Sequence, residues 1–307
     1  MERCPPEILD HIFAHACTDD GQTGRALSLV SHKIRDMSRR RALQSIALYG
    51  QHQIEAFPRL LDGRTSCDNH IRHLFLTDCP PVAVNAASKG ASEQWVNFRT
   101  VKEHRPLEAS GWQSSASIVH LLTRAGPSLS TLTLLLFETY EGNILAAALP
   151  CCRLDELTVH CSTLHAPPGI VIPSCPTLRR VHVISDCPLN RPWERRTPLE
   201  NVSGVAPSLT HLRISRLKFY HLSTRDFIRT AIEKLVRIDS DPLLGCYWGE
   251  RQELVTLPPN LSCMIIQAST WTISEISNFI GREVEHSFHR TASLDIHERI
   301  LVEHCPD

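Results

Sequence analysis

Pro207-Ser208-Leu209-Thr210-His211-Leu212-Arg213-Ile214 is the stretch from which the fold is read. Leu209, Leu212 and Ile214 are its apolar positions. Beyond Leu209 the residues alternate, with Leu212 and Ile214 to one side and His211 and Arg213 to the other. That period-two pattern belongs to a strand with one buried face. Pro207 has no N–H to donate and pushes its predecessor toward extended backbone, so it ends the preceding segment and starts the chain into the strand. The same figure recurs as Pro127-Ser-Leu129 with Leu132 and Leu134, as Pro176-Thr-Leu178 with Val181 and Val183, and as Pro259-Asn-Leu261 with Met264 and Ile266. Two copies lack the proline: Ile71, Leu74 and Leu76, and Leu154, Leu157 and Val159. A degenerate copy uses Val236 and Ile238.

Starting positions 129, 154, 178 and 209 are separated by 25, 24 and 31 residues, and 209 to 261 is 52, or two steps of 26. These cores resemble the Leu-x-x-Leu-x-Leu-x-x-Asn/Cys figure of leucine-rich repeats, most completely at Ile71–Cys79. The expected fold is therefore α/β, with an irregular leucine-rich-repeat-like solenoid of parallel strands neighbouring one another in chain order. An ordinary α/β domain whose parallel strands follow similar turns is the alternative. Helices are expected over Ser117–Arg124, Asn143–Leu149, Thr224–Leu235 and Ser274–Glu285, the last closing the stack. Asn190–Ser203 reads as loop and residues 80–113 as an insertion. Ile296, Ile300 and Leu301 suggest a further helical turn or two in the tail.

The first 48 residues read differently. Ile8, Leu9, Ile12, Phe13 and Ala16 form an apolar helical stripe entered through Pro5 and Pro6, with Glu7 in the first turn. Asp19, Asp20, Gly21 and Gly24 form a turn cluster. A second apolar run follows at Ala26, Leu27, Leu29 and Val30, and a third from Ile34 through Met37 to Leu43 and Ile46. Cys4-Pro5-Pro6-Glu7-Ile8-Leu9-Asp10-His11-Ile12-Phe13, with Leu27-Ser28-Leu29-Val30-Ser31-His32-Lys33-Ile34, resembles an F-box. Cys4 stands where that family has leucine, and Ile34 where it has an aromatic residue. The resemblance implies a three-helix F-box over 1–48 that binds a Skp-family adaptor, and through it a cullin, by Cys4, Pro5, Ile8, Leu9, Val30 and Ile34. A helical connector is expected over 49–70, with a helix at His52–Leu61 interrupted by Pro58. The repeat domain then spans 71–286, and 287–307 is a tail.

The whole chain bounds the function classes. It has 307 residues with a net charge of −1. Bulk charge therefore points to neither nucleic acid nor a membrane surface. No apolar run approaches the ~18 residues of a span, and the N-terminus lacks the form of a signal peptide, so a cytoplasmic or nuclear protein is expected. Twelve cysteines contain no Cys-x-x-Cys pair, which argues for reduced buried thiols over zinc sites or disulfides.

No phosphate loop, nucleophile elbow, dinucleotide fingerprint or zinc-protease motif occurs. His11 and His15 share a helix face without a third ligand. His160 and Cys161 point to opposite sides of a strand, and Arg39-Arg40-Arg41 reads as a solvated helix face. No enzyme, cofactor or metal is therefore expected. The outward positions Arg179, Arg180, His182, His211, Arg213 and Arg216 form a basic strip suited to a protein substrate, while Asp155 and Glu156 make the preceding step acidic. The F-box resemblance implies the substrate-recognition subunit of a Skp–cullin–F-box ubiquitin ligase. A repeat scaffold outside any ligase and an enzyme with an idiosyncratic site are the alternatives.

Overall fold

The computed structural model describes residues 4–63, 70–79, 111–137, 144, 153–160, 173–184, 202–217, 258–268 and 300–304. The chain divides into two compact units, Met1–Thr158 with Ala166–Cys175, and Val159–His165 with Pro176–Asp307.

The first unit opens with three short helices, α1 (Pro6–Ala16), α2 (Gln22–Val30) and α3 (His32–Ser38). Pro5 leads into α1 in extended backbone, and its carbonyl accepts from the N–H groups of Ile8 and Leu9. The helix ends where the Cys17 N–H returns to the Phe13 carbonyl at 2.9 Å. Asp19 then starts α2: its carboxylate accepts from Gly21 N at 3.1 Å, Thr23 N at 2.9 Å and Thr23 Oγ1 at 2.6 Å. Gly21 has φ +97°, a conformation that a side chain makes costly. Ser31 caps α3, its hydroxyl accepting from Ile34 N at 3.2 Å.

The third apolar run does not continue as helix. α3 stops at Ser38, and Ser45–Tyr49 is the first strand, β1. The expected boundary at residue 48 therefore falls inside a strand. Leu43, Ile46 and Leu48 repeat the Leu-x-x-Leu-x-Leu spacing, a copy the sequence reading assigned to helix. α4 (Gly50–Asp62) follows and runs through Pro58, which is buried on the same face as Ile54 and Leu61. Then come β2 (His73–Thr77), α5 (Gly111–Ala125), a single 3-10 turn at Gly126–Ser128, β3 (Thr131–Leu135) and β4 (Glu156–His160), the last two residues of which are assigned to the second unit. α5 includes the expected helix at 117–124 and takes residues 111–113 from the expected insertion.

β1, β2 and β3 pair in parallel, with Ile46, Leu74 and Leu132 in one row and Leu48, Leu76 and Leu134 in the next. All six are buried. α4 lies against β1, β2 and α5. The buried apolar residues described on these helices are Ile54, Pro58 and Leu61 on α4, and Ile118, Leu121, Leu122 and Ala125 on α5. At the helix surface His120 and Arg124 reach Asp62 at 3.5 and 3.9 Å.

The second unit holds β5 (Arg180–Ile184), a one-turn helix α6 (Val202–Val205), β6 (His211–Leu217), β7 (Cys263–Ala268) and β8 (Ile300–His304). β5 pairs with β6, β6 with β7 and β7 with β8, all in parallel. Val181, Leu212 and Met264 share one buried row. β8 occupies the tail that was expected to add helical turns. The expected helices at 224–235 and 274–285, most of 143–149, the degenerate copy at 236–238, residues 80–110 and most of the loop at 190–203 lie outside the described residues.

One backbone arrangement recurs at the strand starts. Leu129, Leu209 and Leu261 each return an N–H to the carbonyl three residues back, across the proline turn. The carbonyl after the first core position then accepts two N–H groups from the next strand. Gln44 O takes Arg72 and His73, Arg72 O takes Ser130 and Thr131, and Ser130 O takes Asp155 and Glu156. In the second unit Arg179 O takes Thr210 and His211, and Thr210 O takes Ser262 and Cys263.

Candidate functional site

The stripe on α1 is wider than the contact available to bury it. Residues 8, 9, 12, 13 and 16 span about 140° of a helix turning 100° per residue. Leu9 and Phe13, at one edge, join Ile34 of α3 in a small core, with Cys4, Leu27 and Met37 packed against it. Ile8 and Ile12, at the other edge, are each 51% exposed. At the end of α2, Leu29 is 73% and Val30 65% exposed. Among the described residues five large aliphatic side chains are at least half exposed, and these are four of them, Leu60 being the fifth. Scattered single exposures need no explanation; these four fall on two helices consecutive in the chain.

The six residues expected to bind an adaptor therefore divide. Pro5, Ile8 and Val30 are exposed. Leu9 and Ile34 are core residues, 4% and 7% exposed, and Cys4 is partly covered. Ile12 and Leu29 join the exposed group; sequence reading placed Ile12 in the stripe and Leu29 in the second run without separating edge from core.

This helical layer is fastened to the start of the sheet. Arg41 donates to both oxygens of Asp10, Nε to Oδ1 at 2.8 Å and Nη2 to Oδ2 at 2.7 Å. The paired guanidinium holds the Asp10 carboxyl below the usual carboxylate range, against the opposing effect of burial. Gln44, itself buried, donates to the Ala14 carbonyl at 2.9 Å. For Asp19, burial works to raise the carboxyl, yet the hydrogen bonds from Thr23 and Gly21 prevail and hold it low. At Gly24 an added Cβ would lie 2.2 Å from the Ala42 carbonyl oxygen, so α2 sits against the turn after α3 at backbone distance.

In the second unit the face opposite the buried rows carries the basic strip. Register sets Arg180 beside His211 and Cys263, His182 beside Arg213 and Ile265, and Ile184 beside Ser215. Arg180 and His211 are exposed, while His182 and Arg213 are partly covered. Arg179 precedes the strand and is exposed; Arg216 lies at the register shift between Ser215 and Leu217. His182 Nε2 lies 2.7 Å from Ser215 Oγ. Burial, reinforced by the Arg213 charge, pushes the imidazole down to about 4, so His182 is neutral at pH 7 and adds no charge to the strip.

Histidine and serine at this distance invite comparison with a nucleophilic pair. General-base action needs an imidazolium stabilised by a carboxylate, whereas here a guanidinium opposes that cation. Ser215 is also buried. The pair is therefore arranged as a hydrogen bond between neighbouring strands rather than for proton transfer.

The corresponding face of the first unit is of another character. Tyr49 and Phe75 are in ring contact at 5.5 Å, and His73 Nδ1 lies 3.1 Å from Thr131 Oγ1. Among the described residues no cluster of three metal-ligating side chains occurs, and no helix is long and apolar enough to cross a membrane. The chain matches no protein-family model and no curated protein.

Proposed function

We propose that this chain is the substrate-recognition subunit of a Skp–cullin–F-box-type ubiquitin ligase. Its N-terminal helices would bind the Skp-type adaptor, and a leucine-rich-repeat-like solenoid would hold the protein substrate. The observation that carries the reading is the concentration of exposed aliphatic residues, Ile8, Ile12, Leu29 and Val30, on helices whose sequence resembles an F-box. The repeated backbone arrangement at successive strand starts supports the solenoid. On this reading the protein performs no chemistry and needs no cofactor. It raises the local concentration of substrate lysines near a charged conjugating enzyme, in cytoplasm or nucleus.

A second reading has its own observation. The Asp10–Arg41 and Gln44–Ala14 hydrogen bonds fasten the helices to the segment leading into β1, as a cap on a repeat stack would require. In that case the chain is a scaffold outside any ligase. Affinity purification of the full chain with mass spectrometry, followed by direct binding to purified Skp-type adaptor, separates the two. Recovery of adaptor and cullin supports the ligase, and recovery of neither supports the scaffold. Deleting residues 1–48 is an unsuitable control, because it removes most of β1 and bares the edge of β2.

A further inference from the structure

We propose that the first unit carries a site for a phosphate-class oxyanion where Arg40, Arg72 and Arg153 gather around His70, at the end of the sheet where the strands begin. The site uses none of the aliphatic residues of the adaptor surface and does not rest on the ligase reading. α3 ends at Ser38, so Arg39, Arg40 and Arg41 do not continue a helix face as the sequence suggested. They lie in a turn in which the N–H groups of Arg41 and Ala42 both return to the Ser38 carbonyl at 2.8 Å. The Arg41 carbonyl accepts from Gln44 N at 2.9 Å, and the Gln44 carbonyl from Arg72 N at 2.8 Å. The arginine turn is thereby tied to the start of β2. The same ladder runs on from Arg72 through Ser130 to Asp155, so His70, Ser128 and Arg153 hold equivalent places two residues earlier on three successive strand starts. His70 and Arg153 are thus two strand spacings apart, ~9.6 Å. Ser128 between them is small, and its hydroxyl donates to the Ile71 carbonyl at 2.8 Å.

Four guanidiniums act on this one imidazole. Burial, and after it the charges of Arg72, Arg40, Arg41 and Arg153, hold His70 below its ordinary value. The four are not equivalent. Arg41 is committed to Asp10 through both carboxylate oxygens. Arg40, Arg72 and Arg153 are exposed, and their side chains make no hydrogen bond or ion pair among the described residues. The neighbouring carboxylates are engaged elsewhere. Asp10 holds Arg41, while Asp155 and Glu156 have interactions of their own within the chain, and the Glu156 charge acts on His73. Like charges held together without a counter-charge repel one another, and a bound anion relieves that repulsion. Each guanidinium offers five N–H donors in a planar fork that fits phosphate oxygens. A phosphate or phosphomonoester concentrates up to two negative charges and at least three acceptor oxygens at one point, so it can meet three guanidiniums at once. A single carboxylate, with one charge and two oxygens, cannot. A nucleic acid draws its affinity from many successive phosphates, whereas these arginines are gathered about one residue.

The test is isothermal titration calorimetry of the full chain with inorganic phosphate near neutral pH, ionic strength being held constant with sodium chloride. Saturable binding of one phosphate per chain is expected, with a rise in melting temperature that chloride of equal ionic strength does not give. Arg72→Gln is expected to weaken phosphate about tenfold, and Arg72→Gln with Arg153→Gln about a hundredfold. Removing exposed like charges relieves repulsion, so both variants should melt no lower than the parent in phosphate-free buffer yet lose most of the phosphate-induced rise. Arg59→Gln makes the same charge change at an exposed position of α4 and should bind phosphate as the parent does. Absence of saturable binding overturns the proposal, as does equal weakening in Arg59→Gln or undiminished binding by the double variant. A hexapeptide carrying one phosphoserine identifies the source of the phosphoryl group. Binding at least about tenfold tighter than phosphate assigns the site to a phosphorylated protein segment, and equal or weaker binding assigns it to the free ion. Tighter binding of a single-stranded oligonucleotide than of either overturns the proposal in favour of nucleic acid. Adaptor is absent from these assays, so their outcome is independent of the ligase reading.

Discussion

Replacing Ile8 and Val30 together with Asp is expected to abolish adaptor binding while leaving the chain folded. The magnitude follows from exposure. Fully burying such a side chain contributes ~1.5–3 kcal/mol. Ile8 is 51% and Val30 65% exposed in the free chain, so an interface has half or more of that still to gain. Truncating either to Ala is expected to cost about 1 kcal/mol, or about fivefold in affinity. Asp adds the desolvation of a charge, taking the pair to ~4 kcal/mol or beyond, about a thousandfold. Folding is little affected, since neither side chain belongs to the Leu9–Phe13–Ile34 core. Leu9→Asp would place its charge within that core and confound binding with unfolding. The assay is biolayer interferometry against purified Skp-type adaptor, paired with thermal melting of each variant. Unaltered adaptor binding by the double variant would refute the assignment of this surface. Absence of binding by the unmodified chain at micromolar concentration would remove the ligase reading altogether.

Three further outcomes test the structure itself. The His182 imidazole sits at about 4 in the folded chain, against ~6.5 unfolded. Between those values only the unfolded chain takes up the proton, so stability should fall as pH drops from about 6.5 to about 4 and then level; a His182→Gln chain whose urea midpoint keeps the full slope in that window would contradict this. Asp10 and Asp19 are held below their ordinary value. Their contribution is present above ~3.9 and lost as pH falls through the folded values, so hydrogen exchange in α1 and α2 should accelerate there, and less of that change should remain in Asp10→Asn. Gly24→Ala should destabilise by ~2 kcal/mol or more, because its Cβ meets the Ala42 backbone, whereas Gly63→Ala, with φ −75° and the Leu60 carbonyl oxygen 3.8 Å from the added Cβ, should be neutral or stabilising by ~0.5 kcal/mol; equal melting temperatures for the two variants would show that α2 is not so closely seated.

The parallel strands were legible because their signal is local and redundant. A buried row demands alternation, the proline turn marks each start, and the two coincide at Leu129, Leu178, Leu209 and Leu261. β1 carried the same spacing at Leu43, Ile46 and Leu48 but follows the turn after α3 without the proline. Its apolar residues also continue the helical run from Ile34, so periodicity alone favoured the wrong element. Pro58 misled in the opposite sense. A proline inside a helix forfeits one hydrogen bond, and α4 tolerates that loss with Pro58 buried between Ile54 and Leu61. β8 was misread because Ile300, Leu301 and Val302 are too short a run to separate strand from helix by pattern.

The candidate surface was only half legible, for a geometric reason. A sequence shows that a stripe is apolar but not how much of its width a partner element covers. On α1 the neighbour is α3, a helix of seven residues whose one large buried aliphatic is Ile34. So narrow a neighbour can cover Leu9 and Phe13 but leaves Ile8 and Ile12 at the far edge uncovered. An apolar stripe wider than its cover leaves one edge open, as the proposed adaptor surface requires.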